Sequence, residues 1–286
     1  MDFTWIIYAL LCAFFLALCD LCTKKFCADH SALEIAFART GLAVPVLWAF
    51  TAIEGFPPVD PRIWSVYVCA APLELAAILL YIRAISLSPL SLTVPFLSFT
   101  PVFLLLTSPV ILGEFPRPWG IAGIILIVCG AYILNAGALR EGFFAPIKSL
   151  ARERGPLLML LAAFLYSITA NFGKLGVLYS SVAFFPASYF SLIALVYAVM
   201  LARAGKMRAV LAPRLMLIGL LSAVMLTFHM MALRLVLVSY MIAVKRTSLL
   251  FGIVFGVLLL GEEGARARIA AGLIMVAGIL AIAFLG

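Results

Sequence analysis

Ten apolar stretches follow one another along this chain, separated only by short charged or Pro/Gly-rich breaks. Each is close to the roughly 20 residues that carry a helix across a 30 Å hydrocarbon core. That predicts membrane helices over 4–23, 33–53, 64–86, 91–112, 118–137, 157–175, 182–202, 214–235, 239–260 and 267–285. Of the 286 residues, 66% are hydrophobic and 11% charged, whereas a soluble domain holds about 45–50% apolar and about 25% charged residues. The expected fold class is an all-α integral membrane protein with ten transmembrane helices, leaving hardly any chain for a soluble catalytic domain. The first apolar segment is full length and begins beside Asp2 rather than a basic n-region, which argues against a cleaved secretory signal.

The formal net charge of +8 does not point to nucleic acid, because the basic residues are scattered over helix ends and short loops, the pattern of membrane topology. Cys19, Cys22, Cys27 and His30 form C-x-x-C followed by C-x-x-H, a spacing that can mark zinc. No Gly-rich knuckle accompanies them, and cysteines among helices also pack as small apolar groups. No metal and no cofactor is therefore expected. An ATPase is not expected, since the chain has no G-x-x-x-x-G-K-[ST], and neither H-E-x-x-H nor a Ser/His/Asp constellation speaks for an embedded enzyme.

The chain also repeats itself. Shifted by about 148 residues, PVILGEFPRPWGIAGIILIVCGAYIL (109–134) comes alongside GVLLLGEEGARARIAAGLIMVAGILA (256–281), with Gly113-Glu114 on Gly261-Glu262 and Gly130 on Gly278. The same shift sets Ala84 on Ala232 and Ser91 on Ser239, and a shift two longer sets Lys24 on Lys174. The expected organisation is a five-helix repeat over 1–139, a basic connecting loop over 140–156 and a second five-helix repeat over 157–286. Five crossings are an odd number, so the second half enters the bilayer inverted. Inverted repeats are a common scaffold of alternating access, although a duplicated bundle can also serve an enzyme or a scaffold.

At the Gly-Glu motif the sequence resembles the EamA family of the drug/metabolite transporter superfamily. The resemblance runs through YIRAISLSPLSLTVPFLSFTPVFLLLTSPVILGE (81–114) and its counterpart ALRLVLVSYMIAVKRTSLLFGIVFGVLLLGE (232–262). It implies a secondary carrier of the bacterial inner membrane, with a central cavity lined by the third, fourth, eighth and ninth helices and parts of the first and sixth. It implies export of small metabolites, amino acids or toxic compounds, and relatives drawn with cytoplasmic termini. The chain departs from its own first repeat at Lys245-Arg246, which stand where Leu97-Ser98 stand in the first half. That departure argues against a neutral or cationic substrate.

Ionisable groups within the bilayer are expensive and mark functional candidates. Lys245 lies about six residues inside the ninth segment, roughly 9 Å below its boundary at 1.5 Å per residue, a depth from which a lysine stem can also snorkel to the headgroups. Adjacent helical residues point about 100° apart, so Lys245 is read as facing the cavity and Arg246 a headgroup or phosphate. Gly252 and Gly256 form G-x-x-x-G on the stripe of Lys245, a pattern for close helix approach. Glu74, near the midplane of the third segment, is either the counter-charge of these cations or the carrier of a coupling proton. His229 is a cavity ligand or a histidine simply bonded to a neighbouring helix. Pro95 and Pro101 bracket PFLSFTP and free backbone carbonyls, which makes Ser98 and Thr100, with Tyr81, substrate contacts.

Asp20 stands four residues before Lys24, the order of a local ion pair. Asn171 and Lys174 occupy the matching end of the sixth segment, and Arg39 lies one or two turns into the second. These five are read as gates, as vestibules attracting anions, or as interface anchors. Glu114 and Glu262 sit beside Arg117, Arg266 and Arg268 and are read as setting helix turns and repeat packing. Arg140, Lys148, Arg152 and Arg154, with Arg203, Lys206, Arg208 and Arg214, crowd the two loops opposite the termini, and the positive-inside rule then sends both termini outward. The leading expectation is a secondary transporter exporting a small, more often anionic, metabolite; the alternative is a flippase for a phosphate- or sugar-bearing lipid. The expected partners are that small-molecule or lipid substrate, membrane lipids and protons or a counter-substrate, for a monomer or homodimer.

Overall fold

The computed structural model describes residues 3–27, 29–88, 90–136, 153–260 and 265–286. Of these, the side chains at 82, 85, 86, 90–92, 94, 135, 136, 208, 253, 256–260 and 265–269 lie outside the description. The connecting-loop cations Arg140, Lys148 and Arg152, the loop cation Arg208, and the Glu262, Arg266 and Arg268 side chains therefore fall outside the described residues.

The described chain is helical: α1 (Thr4–Phe26), α2 (Ala32–Thr40), α3 (Val44–Glu54), α4 (Ile63–Leu87), α5 (Leu90–Leu97), α6 (Thr100–Leu112), α7 (Pro118–Ala136), α8 (Arg154–Leu178), α9 (Phe184–Arg203), a short 3-10 turn (Met207–Leu211), α10 (Pro213–Leu235), α11 (Val238–Lys245), α12 (Ser248–Leu260) and α13 (Ala265–Leu285). Among the described residues seven segments are long and apolar enough to cross a membrane: 4–26, 32–54, 63–81, 95–112, 154–178, 184–203 and 213–235. Two shorter apolar helices cover 118–134 and 270–285. Apolar side chains such as Ile53, Trp64, Val68 and Val110 face outward, as they must where the solvent is lipid.

Three of the expected single helices are split. The segment over 32–54 bends at Gly41–Ala43, before Pro45. The segment over 90–112 breaks at Ser98-Phe99, where Pro95 and Pro101 remove amide donors. The segment over 238–260 breaks at Arg246-Thr247 with no proline at all. The last two breaks are built alike. Ser98 N bonds Pro95 O at 3.1 Å and Arg246 N bonds Ala243 O at 3.0 Å; Phe99 N bonds Phe96 O at 3.1 Å and Thr247 N bonds Val244 O at 3.0 Å. In each, a threonine hydroxyl caps a carbonyl three residues back at 2.7 Å, Thr100 on Leu97 O and Thr247 on Val244 O.

Packing is reciprocal between the halves. α1 packs on α10, α11 and α12, while α8 packs on α4, α5 and α6; α2 and α3 meet α9, and α7 meets α13. At the α7–α13 crossing the backbones touch. A Cβ on Gly123 would lie 2.7 Å from Gly278 O, and one on Gly278 would lie 2.6 Å from Gly123 O. A Cβ on Gly130 would lie 2.8 Å from Ala271 O, so only residues without side chains permit the approach. The close approach expected at Gly252 does not form: a Cβ built there would meet open space.

The ends of the bundle are distinguishable by their contacts. Phe3 and Phe284 rings lie 5.5 Å apart, and Asp60 N bonds Tyr179 O at 2.8 Å, defining the end that bears the termini. There, outside the apolar helices, hydrogen bonds from Arg62 hold the Asp60 carboxyl below its usual range. At the opposite end Arg214 Nη1 bonds Phe26 O at 3.2 Å and Lys206 Nζ lies 3.5 Å from Glu34 Oε1.

Candidate functional site

Lys245 is the last residue of α11 and Arg246 the first of the break, so the two cations do not follow the 100° divergence of a continuous helix. Both turn into the bundle. Lys245 Nζ lies 3.3 Å from His229 Nδ1 on α10, which in turn is 3.9 Å from Cys12 Sγ on α1. An ammonium has donors only, so the imidazole nitrogen accepts. Arg246 Nη2 donates to Thr100 Oγ1 at 2.9 Å, and Thr100 donates onward to Leu97 O. The headgroup direction read for Arg246 is thus corrected: its guanidinium crosses to the repeat-equivalent break in the other half. Its Nε is buried without a hydrogen-bond partner.

Glu74 on α4 faces the same interior. Thr169 of α8 and Lys245 lie within its electrostatic range, but no cation comes within the 4 Å of an ion pair among the described residues. Tyr166, Tyr189 and Tyr197 also lie within that range, and the Tyr189 and Tyr197 hydroxyls are buried and unpartnered. Lys245, Arg246 and Glu74 are all half-buried although they lie in the middle of the bundle.

Tyr81 lies within electrostatic range of Arg39, Asp20 and Arg246 and so links the centre to one end. Ser98 is buried within the first break. Toward the end opposite the termini, Arg39 Nη2 bonds Asp20 Oδ1 at 2.6 Å and Thr23 Oγ1 at 3.1 Å. Asp20 therefore pairs across to α2 rather than along its own helix toward Lys24, whose side chain is exposed. At the terminal end Lys174 is 7% exposed and forms an ion pair with Glu114 while donating to Val236 O at 2.8 Å. Glu114 also accepts from Val238 N at 3.2 Å, so it serves this tie rather than Arg117. Asn171 does not line a vestibule. It is fully buried and ties α8 to α6 through Thr107 at 3.0 Å and Ser108 at 2.7 Å, since a carboxamide in a lipid-excluded core must bond on every side.

The Cys19, Cys22, Cys27 and His30 set points in several directions: Cys19 Sγ is 3.3 Å from Ser222 Oγ, and His30 Nδ1 is 3.0 Å from Glu34 Oε2. Among the described residues no three potential ligands converge on a metal position. The sequence reading overlooked Cys12, Tyr166 and Thr169. Tyr166 and Thr169, three apart on α8, were visible as a polar stripe in an apolar helix.

Residues 3–136 match the model of the EamA-like transporter family. That stretch, just under half of the chain, is what the family model resembles. A solved structure titled "Crystal structure of protein" superposes with a TM-score of 0.76 at 17% identity, over 99% of this chain and 96% of that chain. So low an identity speaks for the fold alone, and it extends the fold across both halves. No curated protein matches. The apolar helices and the EamA-like match support a multi-pass membrane protein, and the match suggests a membrane transporter of the drug/metabolite type.

Proposed function

We propose that this EamA-like protein is a secondary carrier of the bacterial inner membrane that moves a small organic anion through a central alternating-access site. The observation that carries the substrate class is the pair Lys245 and Arg246, turned inward and half-open, with no carboxylate within 4 Å among the described residues. Two unpaired cations in low dielectric are costly, and an anion that reaches them replaces the missing partner. One acid, Glu74, shares the interior, so positive charge is in excess there.

Ten crossings in two inverted repeats, 1–139 and 157–286 joined by the basic segment 140–156, complete the reading. Three observations support it: the matched breaks at Ser98-Phe99 and Arg246-Thr247, the reciprocal helix pairing, and the α7–α13 contacts. Export is the direction the family resemblance implies. Uptake of labelled carboxylates, phosphate esters and organic cations into proteoliposomes tests the class. Anions should be preferred, and Lys245→Met and Arg246→Met should each cut that flux at least about tenfold, the loss expected when a charge-assisted contact of about 1.4 kcal/mol is removed. Preference for the cations, or indifference to both substitutions, would sink the reading.

A further inference from the structure

We infer that His229 is a positioning residue of the anion site: its bare Nδ1 holds the Lys245 ammonium in one direction without cancelling the charge. The inference rests on the anion reading above.

Cations of the bundle are held in two ways. Toward its two ends, Arg39 Nη2 donates to Asp20 Oδ1 at 2.6 Å and Lys174 is paired with Glu114. In the middle, Lys245 Nζ donates to His229 Nδ1 at 3.3 Å and Arg246 Nη2 to Thr100 Oγ1 at 2.9 Å. The end cations thus have carboxylate partners, whereas the central ones have an imidazole and a hydroxyl. A carboxylate in ion-pair contact satisfies a donor and also neutralises it, which leaves little field for a solute. A neutral acceptor satisfies the donor and leaves the charge in place.

Imidazole is such an acceptor at Nδ1 in one tautomer only. Two groups converge on that atom, the Lys245 ammonium at 3.3 Å and Cys12 Sγ at 3.9 Å. The ammonium can only donate, and the thiol is a weak donor. A hydrogen on Nδ1 would point at these donors, so the ring hydrogen belongs on Nε2. Cys12 and His229 stand on α1 and α10, which pack on each other, and both are buried. The ring is therefore held by the bundle. Lys245 is not: it is half-buried and ends α11, so the helix breaks directly after it. Its flexible four-carbon stem has many rotamers, and the fixed ring selects one of them.

The chain has two histidines, His30 and His229, so His30→Gln leaves a single imidazole to observe. With isotope-labelled histidine in the full chain reconstituted in lipid, nitrogen spectra at neutral pH should show a bare Nδ1 and a hydrogen on Nε2. Lys245→Met should move the Nδ1 signal. A hydrogen on Nδ1, or an Nδ1 signal that ignores Lys245→Met, overturns the inference, and these spectra need no substrate. Uptake of labelled lactate and glycerol phosphate into proteoliposomes reads the function. His229→Leu removes the acceptor and should raise the concentration for half-maximal uptake about tenfold, the loss of one hydrogen bond to a charged group, with the maximal rate within about threefold of the parent. His229→Asn returns an acceptor oxygen near the place of Nδ1 and should recover most of the loss; His229→Gln, whose amide reaches the place of Nε2, should not. Equal curves for the three variants, or a loss confined to the maximal rate, overturn the positioning role and leave the anion reading standing as long as Lys245→Met cuts uptake. Should His229→Leu fail to fold, the spectra and the comparison of His229→Asn with His229→Gln decide the matter. If neither probe enters, or Lys245→Met changes nothing, both readings fall.

Discussion

Thr100 holds the guanidinium of Arg246 through one hydroxyl, which at the same moment caps the carbonyl exposed by the break in its own helix. One side chain thereby ties the helix break of the first half to the cation of the second. Thr100→Val keeps the shape and removes the acceptor. A hydrogen bond to a charged group contributes about 1.5–3 kcal/mol, so the concentration for half-maximal anion uptake should rise by about tenfold or more, while Thr100→Ser should stay within about threefold of the parent. Concentration curves on the three proteins give the answer, and equal curves for Val and Ser would refute the positioning role. Thr100 was legible because two prolines flag the break around it. The inward turn of Arg246 was not legible, because the second break carries no proline and adjacent residues on an unbroken helix diverge by 100°. Glu74 could be singled out from depth alone, but the three tyrosines within its electrostatic range depend on how α4, α8 and α9 pack.

At the scale of elements, the tie at the terminal end joins three pieces of chain: the end of α6 through Glu114, the end of α8 through Lys174, and the α10–α11 junction through Val236 O and Val238 N. Both charges are largely buried, with side-chain exposures of 9% for Lys174 and 18% for Glu114. Removing one partner of such a pair strands the other and costs about 3–5 kcal/mol. Lys174→Ala should therefore lower the melting temperature of the purified protein and raise the accessibility of the interior from the terminal end. The exchange Lys174→Glu with Glu114→Lys should recover part of the loss, and a double exchange no better than either single change would show that the ion pair is not the tie. Repeat comparison had already paired Lys174 with Lys24 and Glu114 with Glu262. It could not say that Lys174 reaches Glu114 across the halves, since contacts between elements 60 residues apart leave no local periodicity. Asn171 misled for the same reason: its place near a helix end suggested a vestibule, and only packing against α6 made it a buried knot.

For the whole molecule, the contacts divide the cations between two ends. Lys24, Lys25, Arg203, Lys206 and Arg214 gather at the end opposite the termini, where Arg214 reaches Phe26 O and Lys206 reaches Glu34. The terminal end carries Arg62, Arg117, Lys174 and Arg234, with Asp60 paired to Arg62 and Glu114 to Lys174. Lys24 and Lys25 add to the imbalance, and Lys/Arg excess in short loops is what orients helices in the membrane. On that rule the basic end is expected to be cytoplasmic and the termini outside, which would put the Lys174–Glu114 tie on the outer side. A C-terminal alkaline phosphatase fusion should accordingly be active and a C-terminal green fluorescent protein fusion dark. The reverse pattern would overturn that orientation and place the Lys174–Glu114 tie on the cytoplasmic side.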